Sequence, residues 1–209
     1  MTSLEVGLAY GVSALFICDA LKPGARHICI DPNQQGGPWG DEWQGIGLAN
    51  LHRAGYTGMI DFRAEPSFLA LPTLVRDGTK LDFAFIDGLH TFDYALTDFF
   101  FVDRMLRVGG VVAFDDGDYP AVRKVCRFVA RNLNYTVVTP SDPRANRPHI
   151  VHTSLRRLGR KIGRIGRVLR PELLHPDVEL GTLGRMIAFR KERNDDRVAR
   201  RIWNHWEEF

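Results

Sequence analysis

The chain has 209 residues, of which 44% are hydrophobic and 25% are charged. These ordinary values predict a globular protein with one packed core, because the length is ample for one domain and short for two. Its three cysteines are an odd number without paired spacing, which predicts neither a disulfide framework nor a thiolate zinc site. We therefore expect a reducing, cytoplasmic setting. No stretch is long and uncharged enough to span a bilayer.

The positive charge of the chain is concentrated in one segment. The net charge is +3, yet residues 153–170 hold seven basic side chains and no acidic one, leaving 21 basic and 25 acidic side chains elsewhere. Apolar residues recur there at three- and four-residue steps, which predicts an amphipathic basic helix. Such a helix can lie on an anionic membrane, contact nucleic acid, cover an acidic acceptor, or pack on the body or on a second copy in a homo-oligomer. No aromatic residue interleaves with its arginines, so we expect no nucleic-acid partner.

Short apolar runs alternate with longer helical patterns along most of the chain. We predict strands at 3–7, 27–31, 58–62, 81–87, 111–115, 135–138 and 185–189. Helices are predicted between them at 13–21, 47–54, 67–76, 92–106 and 121–133. This order predicts an α/β fold with an open, Rossmann-like, mostly parallel sheet of seven strands and helices on both faces.

The pattern divides the domain into three parts. Residues 1–139 form the predicted core, 140–182 a basic helical insertion, and 183–209 the last strand with a terminal amphipathic helix. The insertion opens with a loop rich in Pro, Asn and Asp and contains the basic segment.

The first motif is a strand that runs into a glycine-punctuated turn and a helix. Glu5, Gly7 and Gly11 are spaced E-x-G-x-x-x-G, with Ser13 following. The glycines allow a ligand to approach the backbone, although they could equally only allow tight βα packing. Asp31 ends the second strand about twenty residues later, where a carboxylate can accept both hydroxyls of a ribose. Together the two signals favour a nucleoside cofactor with a positively charged portion.

Three further carboxylates end neighbouring strands. Asp87 closes one predicted strand, and Asp115 with Asp116 closes the next, so all three can meet at one edge of a parallel sheet. Clustered carboxylates repel one another unless a cation lies between them, and oxygen ligands suit Mg²⁺, Mn²⁺ or Ca²⁺. Alternatively, these residues only cap the helices that follow. Asp118 is a spare carboxylate that could replace one of the three.

His90 lies three residues after Asp87. A histidine beside a metal-bound hydroxyl can accept its proton near neutral pH, and the metal makes that transfer easier. It can equally orient Asp87 or cap a helix. Trp39 and Trp43 occupy the glycine-rich loop after Asp31, where they could wall an acceptor pocket or pin the loop; we favour the second role for Trp43.

These motifs resemble the class I S-adenosylmethionine-dependent methyltransferases. The stretches 5–13, 85–90 and 106–116 look more narrowly like the small bacterial group of macrocin-type O-methyltransferases and cephalosporin-hydroxylase-like proteins. Members of the class usually carry helices before the first strand, whereas the motif here begins at Leu4. Either the start is truncated, or another subunit or the basic insertion supplies that cover.

The resemblance implies a role for each site residue. It places the cofactor's methionine portion at Glu5, Gly7, Gly11 and Ser13, with Asp87 also beside the cofactor, the ribose at Asp31, and the adenine near the turn from Glu65 to Ser67. Catechol-type and macrocin-type enzymes of the class hold a divalent ion at the positions of Asp87, Asp115 and Asp116, and His90 takes the position of the catechol-type general base. The expected function is O-methylation of a small molecule, a sugar or secondary metabolite, with Mg²⁺ as the expected ion. A non-catalytic module that binds a membrane or a partner through the basic helix is the alternative.

Overall fold

The computed structural model describes residues 1–139, 174–197 and 200. The basic helix predicted over 153–170 lies outside these residues, and so does most of the predicted terminal helix. The division into core, insertion and terminal part therefore stays a prediction.

The described residues form alternating strands and helices. The strands are β1 (Thr2–Val6), β2 (Arg26–Ile30), β3 (Ile60–Arg63), β4 (Leu81–Ile86), β5 (Leu106–Phe114), β6 (Tyr135–Val137) and β7 (Ile187–Lys191). The helices are α1 (Val12–Ala20), α2 (Ile46–Arg53), α3 (Ser67–Arg76), α4 (Phe92–Met105), α5 (Pro120–Asn132) and the short α6 (Asp177–Leu180).

The seven strands make one sheet in the order β3-β2-β1-β4-β5-β7-β6. The first five strands along the chain pair in parallel, and β7 runs antiparallel to both β5 and β6. Chain order reverses between β1 and β4, which is the crevice where open α/β sheets bind ligands beyond the carboxyl ends of their strands. The predicted fold class is confirmed.

Helices cover both faces of this sheet. Leu4 and Ile28 point into the larger core, which also contains buried side chains of α3, α4 and α5. Cys29 points to the opposite face and packs with Ala14 of α1 and Leu51 of α2. The alternation of neighbouring residues between two covered faces explains why β1 and β2 are almost entirely buried.

Three strands begin two or more residues away from their predicted starts. A 3₁₀ turn over Thr57–Met59 takes up the predicted start of β3. β5 begins at Leu106 because Leu106 already pairs with Leu81, ahead of the main ladder. β7 begins at Ile187, where pairing with Phe114 starts. Among the described residues, none of the helices combines the length and the hydropathy that a bilayer crossing needs.

Candidate functional site

The glycine loop after β1 passes very close to the loop after β4. Gly7 has φ +90°, and a Cβ built on it would lie 2.0 Å from the backbone oxygen of Asp87. Any other residue would displace the main chain here, because a side chain would be both strained and in collision. Gly11 is similar, with φ +79° and a built Cβ 2.9 Å from the backbone oxygen of Gly47. The glycines therefore permit the tight packing that shapes this crevice.

Asp31 fixes the same loop from the end of β2. Its carboxylate is buried, and Oδ2 accepts hydrogen bonds from the backbone N–H groups of Leu8 (3.1 Å) and Ala9 (2.8 Å). Gln34 donates its amide to the same oxygen at 3.2 Å and to the Ala9 carbonyl at 2.6 Å. Oδ1 accepts a bond from the Asn33 N–H, at 2.8 Å. Asp31 thus orders the loop, and Oδ1 keeps acceptor capacity for a ligand hydroxyl.

A cavity of about 410 Å³ lies across the crevice. Gly7, Ala9 and Asp31 line one part of it, and Asp87 with His90 lines another. Its remaining walls come from loops after β2, β3 and β4 and from the start of α4, and include Pro32, Asn33, Trp43, Pro66, Ser67 and Tyr94. This volume falls in the range of small-molecule sites.

Four predicted cofactor residues do not line this cavity. Glu5 is fully buried below the glycine loop and accepts a hydrogen bond from the Ser13 hydroxyl at 2.8 Å. Gly11 closes the turn through its N–H, which donates to the Leu8 carbonyl at 2.7 Å. Glu65 is partly buried, while its neighbours Pro66 and Ser67 face the cavity. Gly7, Asp31, Ser67 and Asp87 are therefore the predicted cofactor residues that the structure brings together around one cavity.

His90 joins the ends of β4 and β5. Its Nε2 lies 3.2 Å from Oδ1 of Asp87 and 3.0 Å from Oδ2 of Asp116. Burial raises the pKa of Asp87 to about 6; the His90 hydrogen bond opposes this shift, and the negative charges of Asp115 and Asp116 add to it. Two carboxylates around one nitrogen favour a proton on Nε2, which leaves Nδ1 as the nitrogen that can accept another.

Asp115, the third predicted metal ligand, does not belong to the group of Asp87, His90 and Asp116, whose ligand atoms lie within 4.8 Å of one another. Its Oδ1 lies 3.5 Å from Nε of Arg185, which is also 3.4 Å from Oδ1 of Asp116. Arg185 is 72% exposed, so its contact with these carboxylates is weak and open to exchange with solvent. Asp118, the spare carboxylate, is exposed, and its backbone carbonyl accepts a hydrogen bond from Arg123.

Among the described residues, Asp87, His90 and Asp116 offer ligand atoms that all lie within 4.8 Å of one another. Neighbouring ligands about 2.1–2.2 Å from an octahedral cation lie about 3.0–3.1 Å apart, close to the two distances measured from His90. The same atoms therefore fit either a divalent cation or, with a proton on Nε2, two hydrogen bonds from His90 to the carboxylates. The set is mixed oxygen and nitrogen rather than the all-oxygen set predicted from the sequence, which suits Mn²⁺ as well as Mg²⁺.

The alternative in which these carboxylates only cap helices is wrong. Thr91 occupies the N-cap of α4 and Tyr119 the N-cap of α5, so neither position belongs to Asp87, Asp115 or Asp116. Trp43 packs edge-to-face on Tyr10 with ring centroids 5.1 Å apart and also lines the cavity, so it both anchors the loop and forms a wall.

Three residues near the site were not predicted from the sequence. Gln34 donates a hydrogen bond to Asp31, Arg185 approaches the carboxylates from a position two residues before β7, and Asp98 is buried on α4, where Ser67 is its hydrogen-bond partner. Burial raises the pKa of Asp98 to about 6. Of these three residues, only Asp98 could have been singled out from the sequence, because it is an acidic residue on the buried face of an amphipathic helix.

Comparisons with known proteins point to one family. A model of a methyltransferase domain matches residues 4–117. Caffeoyl-CoA O-methyltransferase 1 from Eucalyptus globulus is 28% identical over 116 residues, which make up 54% of this chain and 44% of that protein. The chain thus spans less than half the length of this curated relative.

Solved structures share the same fold. The O-methyltransferase TomG from Streptomyces achromogenes, in complex with S-adenosylmethionine, is 25% identical with a TM-score of 0.54, over 66% of this chain and 64% of that one. An O-methyltransferase from Bacillus cereus in complex with S-adenosylhomocysteine is 19% identical with a TM-score of 0.55, over 66% of this chain and 65% of that one, and shows the fold alone. With more than half of its residues matched by the domain model, this chain belongs to the methyltransferase domain family, within the class I S-adenosylmethionine-dependent methyltransferases.

Proposed function

We propose that this chain is an S-adenosylmethionine-dependent O-methyltransferase that acts on a hydroxyl group of a small molecule, with assistance from a divalent cation. One observation carries the proposal. A single cavity runs from the glycine loop and Asp31 to Asp87 and His90, so a cofactor and a titratable cluster share one space. The O-methyltransferase relatives support oxygen as the acceptor atom.

The cofactor is held by the part of the cavity near β1 and β2. Asp31 Oδ1 accepts a ribose hydroxyl, while Oδ2 keeps the backbone of Leu8 and Ala9 in place. Pro66 and Ser67 bound the space for the adenine. Asp87 faces the positively charged end, and the ionised form of Asp87 attracts that charge. When bound, this cofactor supplies an electrophilic methyl group to the acceptor oxygen.

His90 is the proposed proton acceptor. Asp87 and Asp116 hold the proton on Nε2, so Nδ1 accepts the proton from the acceptor hydroxyl, and the two carboxylates then stabilise the imidazolium. The oxygen keeps the electron pair that forms the new bond to the methyl carbon. Because His90 lines the cavity, the same residue can both contact the acceptor and orient it.

A divalent cation would be held by the carboxylates of Asp87 and Asp116. Its contribution there is to lower the pKa of a bound hydroxyl. His90 cannot bind a cation and hold a proton at Nε2 at the same time. A His90 variant would lose the cation if His90 were a metal ligand, and would keep it if His90 were only the proton acceptor. We assign His90 to proton transfer and the two carboxylates to the cation.

The experiment is a transfer assay with methyl-labelled S-adenosylmethionine and a panel of sugars and phenolic secondary metabolites. We expect label in a hydroxyl-bearing acceptor, stimulated by Mg²⁺ or Mn²⁺ and decreased by EDTA. Label only in amine or thiol acceptors would overturn the assignment to oxygen. Full activity in EDTA after metal removal would remove the cation from the proposal.

A further inference from the structure

We propose that Glu5, His27 and Cys29 form a second, buried metal site that binds Zn²⁺ or a similar transition-metal ion. This site lies beneath the glycine loop, contains sulfur, and is separate from the cluster of Asp87, His90 and Asp116. It does not depend on the proposed function.

The register of β1 and β2 brings the three ligands together. The strands are parallel neighbours, with Ser3 opposite His27 and Glu5 opposite Cys29, so all four side chains project from the same face of the sheet. Glu5, His27 and Cys29 are each fully buried. Each offers one ligand atom, and these atoms all lie within 4.8 Å of one another.

Hydrogen bonds orient two of the ligands and leave one atom of each free. Ser3 Oγ lies 2.8 Å from His27 Nδ1, and Ser13 Oγ donates to Glu5 Oε2 at 2.8 Å. The remaining atoms, His27 Nε2 and Glu5 Oε1, are buried without a hydrogen-bond partner. Outer hydrogen bonds that fix one side of a ligand while the other side stays free are typical of metal sites. Without an ion, such unpaired buried atoms are costly.

The spacing of the free atoms fits an ion between them. His27 Nε2 and Glu5 Oε1 are 3.4 Å apart. Nitrogen and oxygen ligands bound at about 2.0–2.1 Å to a tetrahedral zinc ion lie about 3.3–3.4 Å from each other. The observed separation therefore matches two ligands of one tetrahedral ion.

Charge favours the same occupant. A thiolate at Cys29, a carboxylate at Glu5 and a neutral His27 carry two negative charges, which Zn²⁺ cancels, and a neutral site is the least costly one in a buried core. The metal-free alternative is a protonated His27 paired with Glu5.

The first test uses the full chain produced in medium with added zinc. We expect about one zinc ion per chain to survive dialysis, and X-ray absorption to detect sulfur at about 2.3 Å from it. In the Co²⁺-loaded protein we expect a near-ultraviolet band from thiolate-to-cobalt charge transfer. The cluster of Asp87, His90 and Asp116 has no sulfur and cannot produce that band. Metal-free protein, or bound metal with only nitrogen and oxygen neighbours, would overturn the proposal.

The second test compares two equally buried cysteines. Cys29→Ser should lose the charge-transfer band and at least about tenfold in zinc affinity, because a ligand is removed. Cys126→Ser should retain both, since Cys126 is fully buried in the other core, which contains α5. Equal effects of the two substitutions would contradict a site at Cys29. If Cys29→Ser fails to fold, the absorption measurement on the unaltered protein still decides the question.

Discussion

His90 Nε2 lies 3.0 Å from Asp116 Oδ2, although the two residues follow different strands and are separated by the whole of α4. Parallel pairing of β4 with β5 brings them together at one edge of the sheet. Asp116 adopts φ +50°, a conformation that is uncommon for a residue with a side chain. The site thus keeps an unusual backbone conformation at the residue that supports His90.

Replacing His90 by Gln tests its role in proton transfer. Gln can retain hydrogen bonds to the carboxylates but cannot accept a proton, so we expect kcat to fall by about 10²–10⁴-fold with cofactor affinity preserved. Metal content should stay unchanged, because the carboxylates are assigned to the cation. The measurements are steady-state kinetics and bound Mn²⁺.

His52 offers a matched control for that substitution. It lies on the exposed surface of α2, where Nδ1 is 3.0 Å from the Thr57 hydroxyl. His52→Gln should leave kcat within about twofold. Loss of Mn²⁺ along with activity in His90→Gln would show that His90 is a metal ligand instead of a base.

Arg185 should compete with a cation for the strand-end carboxylates. Removing this exposed charge in Arg185→Ala should tighten Mn²⁺ binding by about two- to fivefold, because exposed ion pairs are screened by solvent and contribute little. Arg190→Ala is the control. Arg190 lies in β7 and is also exposed, but it pairs with Glu192 at 3.1 Å instead of with the strand-end carboxylates. Titration by calorimetry gives both affinities. Equal Mn²⁺ affinity in both variants would argue against competition.

Gly7→Ala tests the close approach of the two loops. The added Cβ would meet the Asp87 carbonyl at 2.0 Å, so the loop must move, and we expect about a 100-fold loss of S-adenosylhomocysteine binding. Gly55→Ala imposes a similar backbone strain at φ +84° but has no atom within 4 Å of the built Cβ. The Gly55→Ala variant should therefore bind S-adenosylhomocysteine with normal affinity, although the variant is less stable than the unaltered protein. A normal affinity of Gly7→Ala for S-adenosylhomocysteine would contradict the proposal that the glycine loop forms part of the cofactor site.

Asp98 should make stability depend on pH. Burial raises its pKa from 3.8 to about 6, so between these values the folded state binds a proton that the unfolded state has released. The free energy of unfolding should therefore fall as pH rises from about 4 to 6, with a total effect on the order of 2–3 kcal/mol from this group.

Asp98→Asn removes that charge and should raise the free energy of unfolding above pH 6 by about 1–3 kcal/mol, with the gain vanishing below about pH 4. Asp93→Asn is the control on the same helix. Asp93 is exposed in the first turn of α4, and a hydrogen bond from Thr91 lowers its pKa, whereas burial raises the pKa of Asp98. That variant should lose a little stability at neutral pH. Denaturant unfolding at several pH values measures both, and an Asp98→Asn gain that is independent of pH would contradict the mechanism.

The sequence was sufficient for the fold because its signals are local. Alternating apolar residues, such as those of β1 and β2, indicate strands, and the carboxyl ends of parallel strands must share an edge. This logic correctly predicted that Asp87 and Asp116 approach each other. Strand ends were less predictable, as at Ile60, because a 3₁₀ turn and the start of a strand leave similar patterns.

The rest of the site depends on the register between neighbouring strands and on the direction of their side chains. Neither can be read from the spacing of cysteines or from local motifs. Glu5 belongs to the glycine motif, yet it points below the loop to Ser13 and His27. One residue lies between His27 and Cys29, a spacing without a recognisable zinc pattern, and only the pairing of β1 with β2 adds Glu5 to them. Arg185 reaches Asp115 through the antiparallel pairing of β7, which no local motif predicts.

The most direct measurement of the central claim is calorimetric titration of the folded chain with S-adenosylmethionine and with S-adenosylhomocysteine. We predict one site per chain for both ligands, with the titration lost in Gly7→Ala and retained in Gly55→Ala. Binding without transfer to any acceptor would favour the non-catalytic module. No binding of either ligand to protein that unfolds cooperatively would contradict the assignment of this cavity as the cofactor site.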